Sequence, residues 1–463
     1  MPLPLRLAAW AVAALPGLDR AECFGPPLPP AATGGCGGPY FDDFVETEHF
    51  LVQWDAGTLS GPEVLRLSEA LETAWAAEID ALGWAEPAGT GRVRLPVLVL
   101  RGEAPGGSTS TERCDTLGID LPVIVLSDAS FDGDPQYIDS LAAHELNHAS
   151  QLAYGQLHER WFWEATATWM EAQARPELGL WRDRVPAWAT RPELGMNAWD
   201  RSGDHPEITD RSYGLAVFVH QLSAVEGGPG LVRGLWEDTA GQPGQFTRWL
   251  PEALERADLS VDDVLLRFLV AAARDALPMV EGELGLELEA QLDALPAGGT
   301  LGAPPQSLGI TIIEITDLDV DPDPYLHLRL SPEGPAAERW IGALITDDAA
   351  APVVWDEQGR GLGALRLDGA DRAWLALLPL DSEAQGPAYP WATAPGFDLR
   401  WALSRSAAAA PEPWPAVEIA PAKDRAAGGC AAAPRTSAVA LGLAGAAALL
   451  RLGARRRIGP PPG

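Results

Sequence analysis

Along the first half of the chain, apolar positions recur with two different periods. His49-Phe50-Leu51-Val52-Gln53-Trp54 alternates as a half-buried strand does. Gly61 to Leu82 instead carries Val64, Leu65, Leu67, Leu71, Trp75 and Ile79 at helical spacing. Val93 to Leu100 and Val123 to Leu126 are short β-rich runs. A long helical stretch follows, with Leu141, Ala142, Leu146, Ala149 and Leu152 around it, so this helix is expected to be buried. Residues 176–290 keep the helical period, most clearly over Tyr213 to Val225 and Val261 to Ala272. From about Leu301 to Leu403 the pattern changes to short alternating strands. They are Ile310 to Ile313, Tyr325 to Leu330, Trp340 to Ile345 and Trp374 to Leu378, with turn residues spaced as in a β-sandwich. The order predicts an α+β fold: a sheet packed on a long helix, then a helical segment, then a sandwich without a catalytic constellation.

The chemistry lies in Ser140 to Glu171, SLAAHELNHASQLAYGQLHERWFWEATATWME. His144, Glu145 and His148 spell H-E-x-x-H. Positions i and i+4 share a helix face, so both imidazoles can reach one metal ion. Glu145 projects beside that face, where it can act on water as a general base. A catalytic zinc site keeps three protein ligands and one open position. Glu164, in W-F-W-E-A-T-A-T-W-M-E, is the candidate third ligand, with Glu171, two turns on, as its rival. The position six beyond His148 is Tyr154, so no third His stands at the metzincin spacing. Tyr213, His205 and His220 are the candidate donors to a tetrahedral oxyanion, Tyr213 first among them. A peptide substrate is expected to add as a strand beside Val123 to Ser127.

Charge and composition narrow the class. The 463 residues hold 33 basic against 65 acidic side chains, a net −32, which argues against nucleic-acid binding. At the N-terminus, Arg6, the apolar run Leu7 to Leu15 and Pro16-Gly17 read as a secretion signal over 1–22, without a clean A-x-A site. Pro/Gly-rich 23–39 reads as a linker. Of the four cysteines, Cys36 can pair with Cys23 or with Cys114 in an exported chain, and Cys430 lies in the tail. The apolar run Thr436 to Leu450 amounts to roughly 23 Å of helix against a bilayer core of about 30 Å, so it spans only with Arg451 snorkelling.

H-E-L-N-H followed by W-F-W-E-A-T-A-T-W-M-E resembles the gluzincin clan of zinc metallopeptidases, and within it a family of myxobacterial metalloproteases. The resemblance covers roughly residues 45–290. It implies a zincin-like core of mixed sheet and active-site helix followed by a helical subdomain. It also implies Zn2+ held by His144, His148 and Glu164, with Glu145 as base and Tyr213 as the lower subdomain's donor. Two departures stand out. Ala165 replaces the Gly that many relatives have after the liganding Glu, and Thr168 stands where thermolysin-like relatives place an Asp that orients a zinc-bound His. Gly428-Gly429-Cys430, the apolar run and Arg455-Arg456-Arg457 resemble the sorting tails of myxobacterial surface proteins, which implies a C-terminal processing enzyme and membrane attachment through the tail. The expected organisation is 40–175 upper subdomain, 176–295 helical lower subdomain, 296–405 β-sandwich accessory domain, 406–427 Ala/Pro-rich spacer and 428–463 sorting or anchor tail. The function expected is a cell-surface zinc endopeptidase acting on peptides or proteins. An exopeptidase and an inactive zinc-containing binding protein are the alternatives.

Overall fold

The computed structural model describes residues 40–405, apart from residues 42, 103, 116, 156–159, 199–204, 240–249, 251–252, 281, 283, 317, 319–323, 334–336 and 382–395. The expected signal segment, linker, spacer and C-terminal tail fall outside the described residues, as do Cys23, Cys36 and Cys430. Among the described residues no helix is long and apolar enough to cross a membrane.

β1 (Asp43–Glu46) and β2 (Phe50–Trp54) pair antiparallel and lead to α1 (Gly61–Trp75). Ser60 and Glu63 close a capping box at its start, satisfying amides that have no partner within the helix. A wider π-helical turn, Ala76–Ala81, extends α1, which is why the helical period runs on to Leu82. β3 (Leu95–Leu100), β4 (Gly107–Cys114) and β5 (Ile119–Ser127) complete a mixed sheet of order β1-β2-β3-β5-β4. β5 is parallel to β3 on one side and antiparallel to β4 on the other. Both its edges are taken, so the expected docking of a strand beside Val123 to Ser127 is corrected: among the described residues the unpaired edge on that side of the sheet belongs to β4. Cys114, at the end of β4, is buried and disulfide-bonded.

α2 (Gln136–Tyr154) carries H-E-x-x-H and packs between this sheet, α1 and α3 (Arg160–Ala174). Residues from Ser140 to Gln151 are all buried, so its periodicity is masked by contact on every side. Then come α4 (Val185–Ala189), α5 (Pro206–Gly214), α6 (Ala216–Gln221), α7 (Pro229–Thr239) and α8 (Val261–Ala273). The run Tyr213 to Val225 is not one helix. α5 ends at Gly214, where a Cβ would come 2.6 Å from the Arg184 carbonyl and 3.0 Å from Trp188 Cβ, and α6 restarts at Ala216.

The strand-rich half holds β6 (Ala290–Leu292), β7 (Ala297–Thr300), β8 (Thr311–Thr316), β9 (Tyr325–Glu333), β10 (Arg339–Ile345), β11 (Ala350–Pro352), β12 (Val354–Trp355), β13 (Gly361–Arg366), β14 (Arg372–Leu380) and β15 (Asp398–Ser404). They form two five-stranded sheets, β11-β10-β14-β8-β6 and β12-β13-β9-β15-β7. Ile313, Leu328, Leu375 and Trp401, drawn from both sheets, make one apolar cluster. The other face of the first sheet, through Ile312, Ile341, Ile345, Ala376 and Leu378, joins the core of the helices. β14 is therefore buried at every position from Ala373 to Leu380, where simple alternation was expected. Arg339 pairs with Asp262 at 2.8 Å, and Arg274 Nε donates to the Thr346 carbonyl at 2.8 Å. The helices and this sheet share one core.

Candidate metal centre

His144 and His148 project from one face of α2 with their rings nearly perpendicular and 4.7 Å apart. α3 brings Glu164 against them: Oε2 lies 3.4 Å from His144 Nε2 and 3.3 Å from His148 Nε2. One donor atom from each of the three lies within 4.8 Å of the others, and all three side chains are largely withdrawn from solvent. Two imidazole nitrogens and a carboxylate oxygen are the donor types that zinc takes. No other His/Cys/Asp/Glu group with this geometry occurs among the described residues.

What holds the rings is equally defined. His144 Nδ1 lies 2.8 Å from Glu171 Oε1, and Ser140 Oγ donates to the other oxygen of Glu171. Glu171, the rival candidate, therefore lies on the far nitrogen of His144, away from the point where His144 Nε2, His148 Nε2 and Glu164 Oε2 converge. The carboxylate that contacts His144 Nδ1 thus comes from Glu171, about one turn further along α3 than Thr168. Thr168 itself is buried, and its hydroxyl has no partner among the described residues. Ala165 is fully buried, as close helix packing requires of a small residue there.

His148 Nδ1 donates to Gln151 Oε1 at 2.8 Å, so Nε2 is the ring nitrogen left to face Glu164. Gln151 Nε2 in turn donates to Asn147 Oδ1 (2.8 Å) and to the Trp163 carbonyl (3.1 Å), and Asn147 Nδ2 donates to Glu78 Oε2 (3.2 Å). Burial raises the pKa of the Glu78 carboxyl, at the end of this chain of amides, well above its usual range, against the hydrogen bond from Asn147 and the charge of His144. Trp163 stacks on His148 at 5.7 Å, and Tyr213 stacks on His144 at 5.7 Å.

Two opposing influences set the charge of the metal-free group. Burial disfavours a proton on His144. Hydrogen bonds donated to Glu164 and Glu171, with the charges of Glu171 and Glu145, outweigh it and carry the pKa up to about 10. Burial also works against ionisation of Glu164, yet the two histidines hold its carboxyl far below the ordinary range.

Glu145 is not among the three converging groups. Its Oε2 accepts from Thr109 Oγ1 at 2.7 Å, on β4. Burial raises its pKa, opposed by His148, His144 and Thr109. β4 comes this close because residue 107 is glycine: a Cβ there would lie 2.7 Å from Glu145 Oε1. Neither Gly107 nor Thr109 was marked by the sequence, since a Gly-Ser-Thr-Ser-Thr run carries no motif.

Of the three candidate oxyanion donors, only Tyr213, in the last turn of α5, touches a member of the group. Burial, then the charges of Glu164 and Glu145, raise its phenol well above the ordinary range, so it keeps its proton. His205 lies at the start of α5, 3.1 Å from Glu207. His220 is buried against Trp181, 4.1 Å between ring centroids, and burial pushes its pKa down to about 3.

No family model matches the chain, and no curated protein matches it. Among solved structures, one similar chain is a family GH115 4-O-methyl-α-glucuronidase with specificity for decorated arabinogalactans. It is 11% identical, with a TM-score of 0.15, over 62% of this chain and 46% of that one. The chain thus spans less than half of that protein's length, and a similarity at this TM-score carries no argument.

Proposed function

We propose that the chain is a zinc-dependent peptidase with a zincin-like core, acting as an endopeptidase on exported or surface substrates. The observation that supports this best is the division of labour on α2 and α3. His144, His148 and Glu164 converge as a donor set, while Glu145, next to them, is held apart by Thr109. A purely structural metal site has no use for such a base. The two Nδ1 atoms are already engaged, so both Nε2 atoms face Glu164, as a metal-holding tautomer requires.

The chemistry that a bound zinc supplies is Lewis acidity, which polarises a carbonyl and makes water nucleophilic near neutral pH. Glu145 takes the proton of the attacking water and returns it to the leaving amine, a task suited to a carboxylate whose pKa burial has raised. Thr109 aims the Glu145 carboxylate, and Gly107 leaves room for it. Tyr213 donates its hydroxyl to the developing oxyanion, a contribution of roughly 2–4 kcal/mol for one donor. The backbone of β4, whose outer edge pairs with no strand among the described residues, offers the ladder on which an extended peptide aligns.

Metal analysis of the full chain, with mass spectrometry of a peptide digest before and after chelation, tests this reading. One zinc per chain, cleavage lost with the metal and restored by zinc, is expected. A stably metal-loaded protein that cleaves no peptide would leave only a binding role.

A further inference from the structure

We propose that Arg184 receives a carboxylate of the substrate, so that the site selects peptides with an acidic side chain or a free C-terminus near the cleaved bond. The inference rests on the peptidase reading and names the substrate chemistry of that same site.

Arg184 ends the short helical turn Leu180–Arg184, directly before α4. Its backbone is fixed by the approach of Gly214, which has no room for a side chain between the Arg184 carbonyl and Trp188. The residue preceding that glycine, Tyr213, carries the connection to the metal group. The guanidinium carbon lies 5.4 Å from the centre of the Tyr213 ring, and that ring stacks on His144. Rigid elements therefore hold a cation beside the candidate donor.

No carboxylate among the described residues pairs with this guanidinium. That is not for want of acids, which outnumber bases 65 to 33. Elsewhere arginines are paired, as Arg175 is with Asp139 and Glu177, Arg267 with Glu226 and Arg372 with Asp347. Asp210 is near enough for the charge of Arg184 to oppose the rise that burial gives its pKa, yet makes no ion pair with it. The same charge acts on Tyr137, whose phenol burial raises and which Glu171 and Glu145 also affect. Arg184 thus lies beside a site whose own cation, the protonated His144, is already held between Glu164 and Glu171, while the carboxylates of Glu145 and Asp210 add further negative charge. A substrate carboxylate entering there meets repulsion unless a cation receives it, and the planar guanidinium fork matches a carboxylate with two parallel hydrogen bonds.

Four pools of N-terminally blocked octapeptides test the proposal: a fixed central Glu or Gln, each with a free or amidated C-terminus. Cleavage is measured with the zinc-loaded full chain, and binding by calorimetry with the Glu145→Gln protein. At least one carboxylate pool should be cleaved about 10- to 100-fold faster than its amide counterpart and bind correspondingly tighter. Whether Glu or the free terminus carries the preference identifies its source. Arg184→Gln should bring the acid-to-amide ratio to about one, and Arg184→Lys should restore part of it, with zinc content and melting temperature recorded for both. Equal cleavage of all four pools by the wild type overturns the inference and leaves the peptidase reading standing. An Arg184-dependent binding preference without cleavage of any pool supports the inference and removes the peptidase reading. Absence of preference in both measurements overturns the inference.

Discussion

Replacing Glu171 by Gln separates two effects that act in opposite directions on the metal. Without metal, His144 holds a proton between Glu164 and Glu171, with a pKa of about 10. A metal must displace that proton. At pH 7, about three units lower, the competition costs roughly 4 kcal/mol, or about a thousandfold in apparent affinity. The wild type should therefore gain about tenfold in zinc affinity per pH unit between 7 and 10 and release one proton on binding. The amide oxygen of the substituted side chain can still accept from Nδ1, so the ring stays oriented. Losing the carboxylate charge weakens the hold on the proton and also the basicity of the ligand, the latter at about 10- to 100-fold in affinity. At pH 10 the variant should show that whole deficit; at pH 7 the deficit should shrink or vanish. Chelator-competition titrations from pH 6 to 10, with proton release counted by calorimetry in two buffers, give the comparison. Parallel wild-type and variant curves, or zinc binding without proton release at pH 8, would refute this account of the group.

Metal-free stability should carry the same signature. The raised pKa of His144 contributes stability that is whole below about pH 6.5 and lost as pH rises through about 10, so the chelated protein should melt progressively lower from pH 7 to 10. Gly107→Ala puts a methyl 2.7 Å from Glu145 Oε1 and 2.9 Å from Leu126 Cδ2, and should cost about 1–3 kcal/mol in denaturant titrations and depress turnover through the displaced base. His220→Phe should blunt acid unfolding. A histidine kept neutral with a pKa of about 3 gives stability that is present above pH 6.5 and lost towards pH 3, roughly 3 kcal/mol by pH 4, so equal losses in both proteins between pH 7 and 4 would contradict its buried neutral state. Asn147→Leu leaves Glu78 and Gln151 without their shared amide, and should cost about 1–3 kcal/mol of stability with a weaker hold on zinc.

The shared face of His144 and His148 on α2 was legible because i, i+4 spacing is a property of the helix alone, and the approach of Glu164 because its surrounding pattern is helical and lies one short connection away. Glu171 was harder. Two turns along the same face it can meet either nitrogen of His144, and the choice depends on how far α3 slides along α2, which neither sequence segment encodes. β4 escaped notice for a different reason. Its residues Gly107-Ser108-Thr109-Ser110-Thr111 bury little, so no alternation marks the strand, yet it covers the side of β5 that looked open. The depth of β14 was hidden likewise: whether an apolar strand is covered on one face or two is decided by what packs behind it, here α8 and the helical core. Arg184 had no signal either, since what singles it out is the contact with Tyr213 and the lack of an acidic partner among the described residues.

The central claim, a metal-holding triad with a separate base, is tested most directly by comparing zinc content and peptide turnover of the wild type and Glu145→Gln in one preparation. The expected result is one zinc per chain in both, with cleavage by the variant lowered at least about a hundredfold. Undiminished cleavage by Glu145→Gln, or loss of its zinc, would contradict the account.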